Sequence, residues 1–121
     1  MNILIAQASP SEATELLEYF QGNACEVHFA SERKLLYQVL AQHSIDAVLY
    51  NVTSLDDFAV IRYINTTYPL TKVVAASDTS FYAKIDNIRQ SDFASLQLPY
   101  HLNQLHELIT AVSFKPESKQ L

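Results

Sequence analysis

The residues of this chain best placed to do chemistry follow four short apolar runs: Gln7 and Ala8, Asn51, Ser77, and the pair Leu98 and Pro99. Gln7 and Asn51 offer neutral carboxamides and Ser77 a hydroxyl, while Ala8 and Leu98 add nothing polar beyond the backbone. A hard divalent cation such as magnesium wants octahedral oxygen ligands with at least one or two carboxylates among them, so two amides make a poor site. Ser77 would need a base to act as a nucleophile, and no histidine follows a neighbouring apolar run. It reads as a cap or loop hydroxyl. Asp78 and the pair Asp56 and Asp57 could lean toward the same place. Each stands where a helix starts, however, and the expectation is that they cap those helices and face water.

The other reactive side chains are dispersed. His28, His43, His101 and His106 sit apart, and the last two are five residues from each other, which puts them on different faces of a helix. Surface or internally satisfied rings are expected. Cys25 is the single cysteine, so neither an internal disulfide nor a thiolate zinc site can form, and it reads as a small buried hydrophobe. No cofactor or metal is expected. The net charge of −5, with eight scattered basic residues, argues against direct nucleic-acid binding, which needs clustered Lys and Arg. A protein partner is the better expectation. The apolar runs fall far short of a membrane span, and MNILIAQASP lacks the basic and long apolar regions of a signal peptide, so the cytoplasm is the expected location.

Five strand-like segments alternate with helix-like ones along the 121 residues. Asn2 to Ala6 is apolar, and Ser9-Pro10-Ser11-Glu12 follows as a capping box with proline at the first helical position; Leu16, Leu17 and Phe20 then form an inward face. Gly22 is suited to a left-handed cap. Glu26 to Ala30 reads as a strand, and Ser31 as the cap of a helix striped by Leu35, Leu36, Val39 and Leu40. Ala47 to Tyr50 is the third strand; the helix carrying Phe58, Ile61 and Ile64 must stop near Tyr68, because Pro69 disfavours helical geometry before it. Lys72 to Ala76 is a strand, Phe81 to Arg89 a short helix, Ser95 to Leu98 the fifth strand, and Leu102, Leu105, Ile109 and Val112 line a last helix. The alternation predicts a flavodoxin-like (βα)5 three-layer α/β sandwich: one parallel five-stranded sheet, order 2-1-3-4-5, over residues 1–114, with 115–121 a polar tail or the start of a linker. In such a sheet ligands gather beyond the carboxyl ends of the strands, where the positions named first must lie.

The element order, with "NILIAQASP", "IDAVLYN", "KVVAAS" and "LQLPY" at the strand ends, resembles the receiver domains of two-component response regulators across nearly the whole chain. The resemblance implies that the metal-binding acids fall on Gln7 and Ala8, the phosphoryl acceptor on Asn51, the hydroxyl switch on Ser77 and the phosphate-pairing lysine on Leu98; only Ser77 and Pro99 match. The switch aromatic falls near Ser95, with Phe93 close by, and "VTSLDD" is about two residues shorter than the family's loop and lacks its proline and glycine. The pocket is therefore expected to be inert and partly closed, with Leu98 filling the volume of the lysine beside Asn51.

What remains is regulation by contact: a non-phosphorylatable, non-enzymatic receiver-like domain that dimerises or controls an output domain beyond Leu121. Tyr82 and Tyr100, with Leu105, lie where receivers form their contact face. The stretch "ASLQLPYHLNQLHELI" is similar to atypical receivers at the front of NtrC-type transcription activators, including flagellar master regulators. The alternative is a small-ligand or enzymatic flavodoxin-like domain, disfavoured because "QASPSE" holds no glycine for a phosphate loop.

Overall fold

A computed structural model of the chain describes residues 1–78, 94–98 and 101–110. The expected helix over Phe81 to Arg89, Phe93, Pro99, the tail, and Tyr82 and Tyr100 lie outside the described residues. The elements are β1 (Asn2–Ala6), α1 (Pro10–Gln21), β2 (Glu26–Ala30), α2 (Arg33–Gln42), β3 (Ala47–Asn51), α3 (Asp57–Thr67), β4 (Lys72–Ser77), β5 (Ala94–Gln97) and a last helix, α4 (Leu102–Thr110). All strand pairs are parallel and the sheet order is 2-1-3-4-5, as the alternation predicts.

Period-two alternation divides the core between the two faces of the sheet. Leu4, Ala6, Val48, Tyr50, Val73 and Ala75 pack with Leu36 and Leu40 of α2 and Phe58, Ile61 and Ile64 of α3. Their neighbours Ile3, Ile5, Ala47, Leu49, Val74 and Ala76 pack instead with Leu16 and Phe20 of α1 and Leu105 and Ile109 of α4. Because β1, β3 and β4 are buried on both faces, they read as continuous apolar runs rather than alternating ones. Leu105 is fully buried in the second cluster. It is a core residue and offers no contact surface, which corrects its assignment to an interface.

Local signals place most helix ends. Ser9 Oγ accepts from Glu12 N at 3.3 Å and Glu12 Oε1 accepts from Ser9 N at 3.1 Å, completing the capping box with Pro10 at the helix start. Two expectations fail. Gly22 has φ −67° and continues the helical turn; the left-handed residue is Ala24 (φ 62°). There Cys25 N donates to Phe20 O and Ala24 N to Gln21 O, the paired closure of a Schellman motif set two residues later than the glycine. Nor does Ser31 cap α2: the N-cap is Glu32, without a side-chain bond, and Arg33 and Lys34 occupy a first turn where acids would be favoured.

Candidate functional site

The loops after β1, β3, β4 and β5 leave a cleft of about 390 Å³ where the sheet order reverses, lined by Gln7, Ala8, Asn51, Thr53, Asp78 and Leu98 with Ser9 and Glu12 from the start of α1. Gln7, Ala8, Asn51 and Leu98 thus meet in one place, and Ser77 is fully buried at the end of β4. The cleft persists despite the short loop, and Leu98 is half-buried along its wall rather than sealed in the interior.

A reciprocal amide clamp holds the two central positions. Gln7 Nε2 donates to the Asn51 carbonyl at 2.7 Å, and Asn51 Nδ2 donates to the Gln7 carbonyl at 3.3 Å. Gln7 N also reaches Ala30 O at 3.0 Å, joining the end of β2 to the same corner. These bonds hold Gln7 at φ 63°, a left-handed conformation that costs a non-glycine residue about 1 kcal/mol. The remaining polar atoms are poorly served: Asn51 Oδ1 and Ser77 Oγ are buried and have no hydrogen-bond partner among the described residues. Stranded buried groups of this kind cost on the order of 1–3 kcal/mol each, and they concentrate where a fold keeps residues for reasons other than stability.

The described lining of the cleft is mostly neutral. Among the described residues its carboxylates are those of Glu12, already engaged in the α1 capping box, and of exposed Asp78. Asp78 therefore faces water as expected and also borders the cleft. Among the described residues no cationic side chain lines it, and Leu98 contributes an apolar wall. Among the described residues no group of three His, Cys, Asp or Glu is arranged to hold a metal ion.

The expectation for Asp57 is overturned. It is buried and sits at the centre of a polar network. One oxygen accepts from Tyr50 Oη at 3.0 Å and pairs with Arg33 Nη2 at 3.1 Å; the other accepts from Thr53 N at 2.8 Å and Ser54 N at 3.1 Å. Burial alone would raise its pKa, but the bonds from Thr53, Tyr50, Ser54 and Arg33 outweigh that and hold the carboxyl below its ordinary value. Burial, then the adjacent carboxylate, pushes the Tyr50 phenol up. Tyr50 lies on the α2–α3 side of the sheet and Asn51 follows it directly, so the network braces the loop that leaves Asn51 from the opposite face. Two signals were present in the sequence: a tyrosine ending an apolar strand, and an arginine in a first helical turn where a cation is disfavoured.

The histidines are also less scattered than their spacing suggests. His28 of β2 and His43 after α2 stack with centroids 4.4 Å apart, while His106 Nδ1 meets Tyr19 Oη at 2.8 Å, tying α4 to α1. His101 is exposed. Cys25 is half-buried rather than fully enclosed.

No protein-family model and no curated protein matches this sequence. Solved structures do. The chain is similar to a response regulator receiver domain from Clostridium thermocellum, with TM-score 0.78 and 16% identity over 89% of this chain and 90% of that one. It is similar to a response regulator from Thermotoga maritima (TM-score 0.74, 18% identity, 91% and 98% covered). It also resembles the signal receiver domain of an HD domain-containing protein from Pseudomonas fluorescens Pf-5 (TM-score 0.74, 20% identity, 89% and 90% covered). At these identities the likeness is one of architecture: this chain has the fold of response regulator receiver domains.

Proposed function

We propose that this chain is a receiver-like regulatory domain that operates without phosphorylation and acts by protein–protein association, controlling an output domain or pairing with a second copy. The observation that carries this is the cleft itself. In a receiver fold its position is the one that would hold metal and phosphoryl group, yet here it presents the clamped amides of Gln7 and Asn51, Ala8, and the apolar wall of Leu98. Asparagine has no carboxylate to phosphorylate. The stretch from Ala94 to Ile109, similar to atypical receivers of NtrC-type activators, supports a transcriptional output, with nucleic acid contacted by another domain.

With no phosphate to set it, the conformational equilibrium of such a domain is governed by whichever partner binds one state better. The test is incubation with acetyl phosphate, or with beryllofluoride and magnesium, followed by intact mass and amide spectra. Unchanged mass and unshifted resonances around Asn51 are expected. A gain of one phosphoryl group, or specific shifts there, would overturn the reading.

A further inference from the structure

Asn51 is satisfied on one side only. Its Nδ2 donates to the Gln7 carbonyl at 3.3 Å, while Oδ1 is buried and has no hydrogen-bond partner among the described residues. The residue is only 7% exposed, yet it lines the cleft. Turning the amide over brings no relief, because Oδ1 would then face the Gln7 carbonyl, acceptor against acceptor. The clamp therefore holds an unsatisfied acceptor in the cleft wall. Ser77 Oγ is stranded in the same way at the end of the adjoining strand.

An amide oxygen accepts and cannot donate, so an N–H or O–H group is what completes it. The start of α1, which borders the same cleft, has little to offer an anion. Pro10 has no N–H, and the amides of Ser9, Glu12 and Ala13 already donate to Glu12 Oε1, Ser9 Oγ and the Ser9 carbonyl. The charged groups of the described lining are carboxylates, those of Glu12 and Asp78. A hard metal ion fits poorly as well. Asn51 would bring it one neutral oxygen, and among the described residues no group of three His, Cys, Asp or Glu is arranged to hold one. A donor that carries positive charge fits better, since it bonds the amide oxygen and is drawn by the carboxylates at the rim. The cleft, about 390 Å³, falls within the range of small-molecule sites, about 300–1,000 Å³.

We propose that the cleft binds a small organic cation of the primary amine or guanidine class, with an N–H donating to Asn51 Oδ1 and its charge bordered by Glu12 and Asp78. This deepens the reading of the cleft as one that works without phosphorylation, and rests on it: ligand occupancy takes the place of phosphate as the input. Because Oδ1 is buried, a ligand reaches it only by shifting the cleft wall. Asn51 leads directly into Val52 and Thr53, and Thr53 N is held by buried Asp57 at the start of α3. A shift at Asn51 is thereby passed to that helix and biases association with a partner.

Titration of the full chain with methylguanidinium and with propylammonium, followed by amide spectra and calorimetry, tests the proposal. Saturable shifts centred on Asn51 and its side-chain amide are expected. Tetramethylammonium, which has the charge but no N–H, should leave them unmoved, as should phosphate and magnesium. Asn51→Leu removes the acceptor at similar volume and should weaken binding about tenfold or more, the worth of one hydrogen bond to a charged group. Asn51→Asp keeps an acceptor and adds a charge, so it should bind the same probes more tightly. If melting curves show that Asn51→Leu does not fold, Leu98→Lys replaces it, because an ammonium entering the cleft competes with the probes and raises their apparent Kd. An absence of saturable shifts, an equal response to tetramethylammonium or magnesium, or binding indifferent to the folded variant overturns the proposal and leaves Asn51 Oδ1 to water. The phosphorylation test is read by mass and is independent. A chain that takes up neither phosphoryl group nor amine loses this ligand and keeps the regulatory reading, whereas a phosphoryl gain removes that reading.

Discussion

Replacing Asp57 by alanine should be among the most damaging single changes available in this fold, although the residue looks like an ordinary helix-start acid. The substitution strands the Tyr50 hydroxyl in the interior, where Tyr50 is fully buried, and removes the acceptor for the Thr53 and Ser54 amides. A buried donor left unsatisfied costs about 1–3 kcal/mol, and hydrogen bonds to a charged group contribute about 1.5–3 kcal/mol each. The contributions overlap, and the two loop amides can turn to water, so a total near 3 kcal/mol is expected. For a domain of this size that is about 10 °C of melting temperature. Arg33→Ala should cost less, because its guanidinium is already 45% exposed and the carboxylate keeps its bonds from Tyr50, Thr53 and Ser54. Asp57→Asn should fall between the two. The pH dependence supplies a second signature. The carboxyl is held below its ordinary value in the fold, so the unfolded chain binds the proton more readily. The stabilisation is therefore complete above about pH 4 and is lost as pH falls through the depressed folded value. Urea unfolding of wild type and variants across that range measures both effects. If Asp57→Ala loses less than about 1 kcal/mol, or if Asp57→Asn keeps the full acid-induced loss of the wild type, the network is not the brace described.

Two further variants probe the cleft by the same method. Gln7→Gly relieves the left-handed strain while Gln7→Ala retains it, and both lose the bond to the Asn51 carbonyl. The glycine variant should therefore be more stable by about 1 kcal/mol, and equal stabilities would show that φ 63° costs nothing. Leu98→Lys should lose only about 1 kcal/mol, since a half-buried wall position lets the ammonium reach cleft water near Glu12 and Asp78. A loss several times larger would mean that the charge is trapped in the interior.

The sequence by itself determined the architecture, because the information it needs is local. Apolar runs of strand length alternating with helical stripes admit a parallel sheet covered on both faces, and Ser9, Pro10 and Glu12 mark a helix start through bonds made within four residues. It also placed Gln7, Ala8, Asn51 and Leu98 around one cleft, since the ends of parallel strands must converge. Tertiary structure decided the rest. The clamp between Gln7 and Asn51 and the network on Asp57 join residues whose separation, 44 and 24 positions for the key pairs, carries no local signature. Whether an aspartate at a helix start faces water or turns inward depends on what packs beneath it, and here that is Tyr50 and Arg33. Leu105 follows the same rule: helical periodicity marks it as apolar, but only the contact of α4 with the sheet shows that it is core. The contact of Tyr37 with Tyr63 was equally illegible, because two tyrosines on separate helices meet only when the sheet sets α2 beside α3.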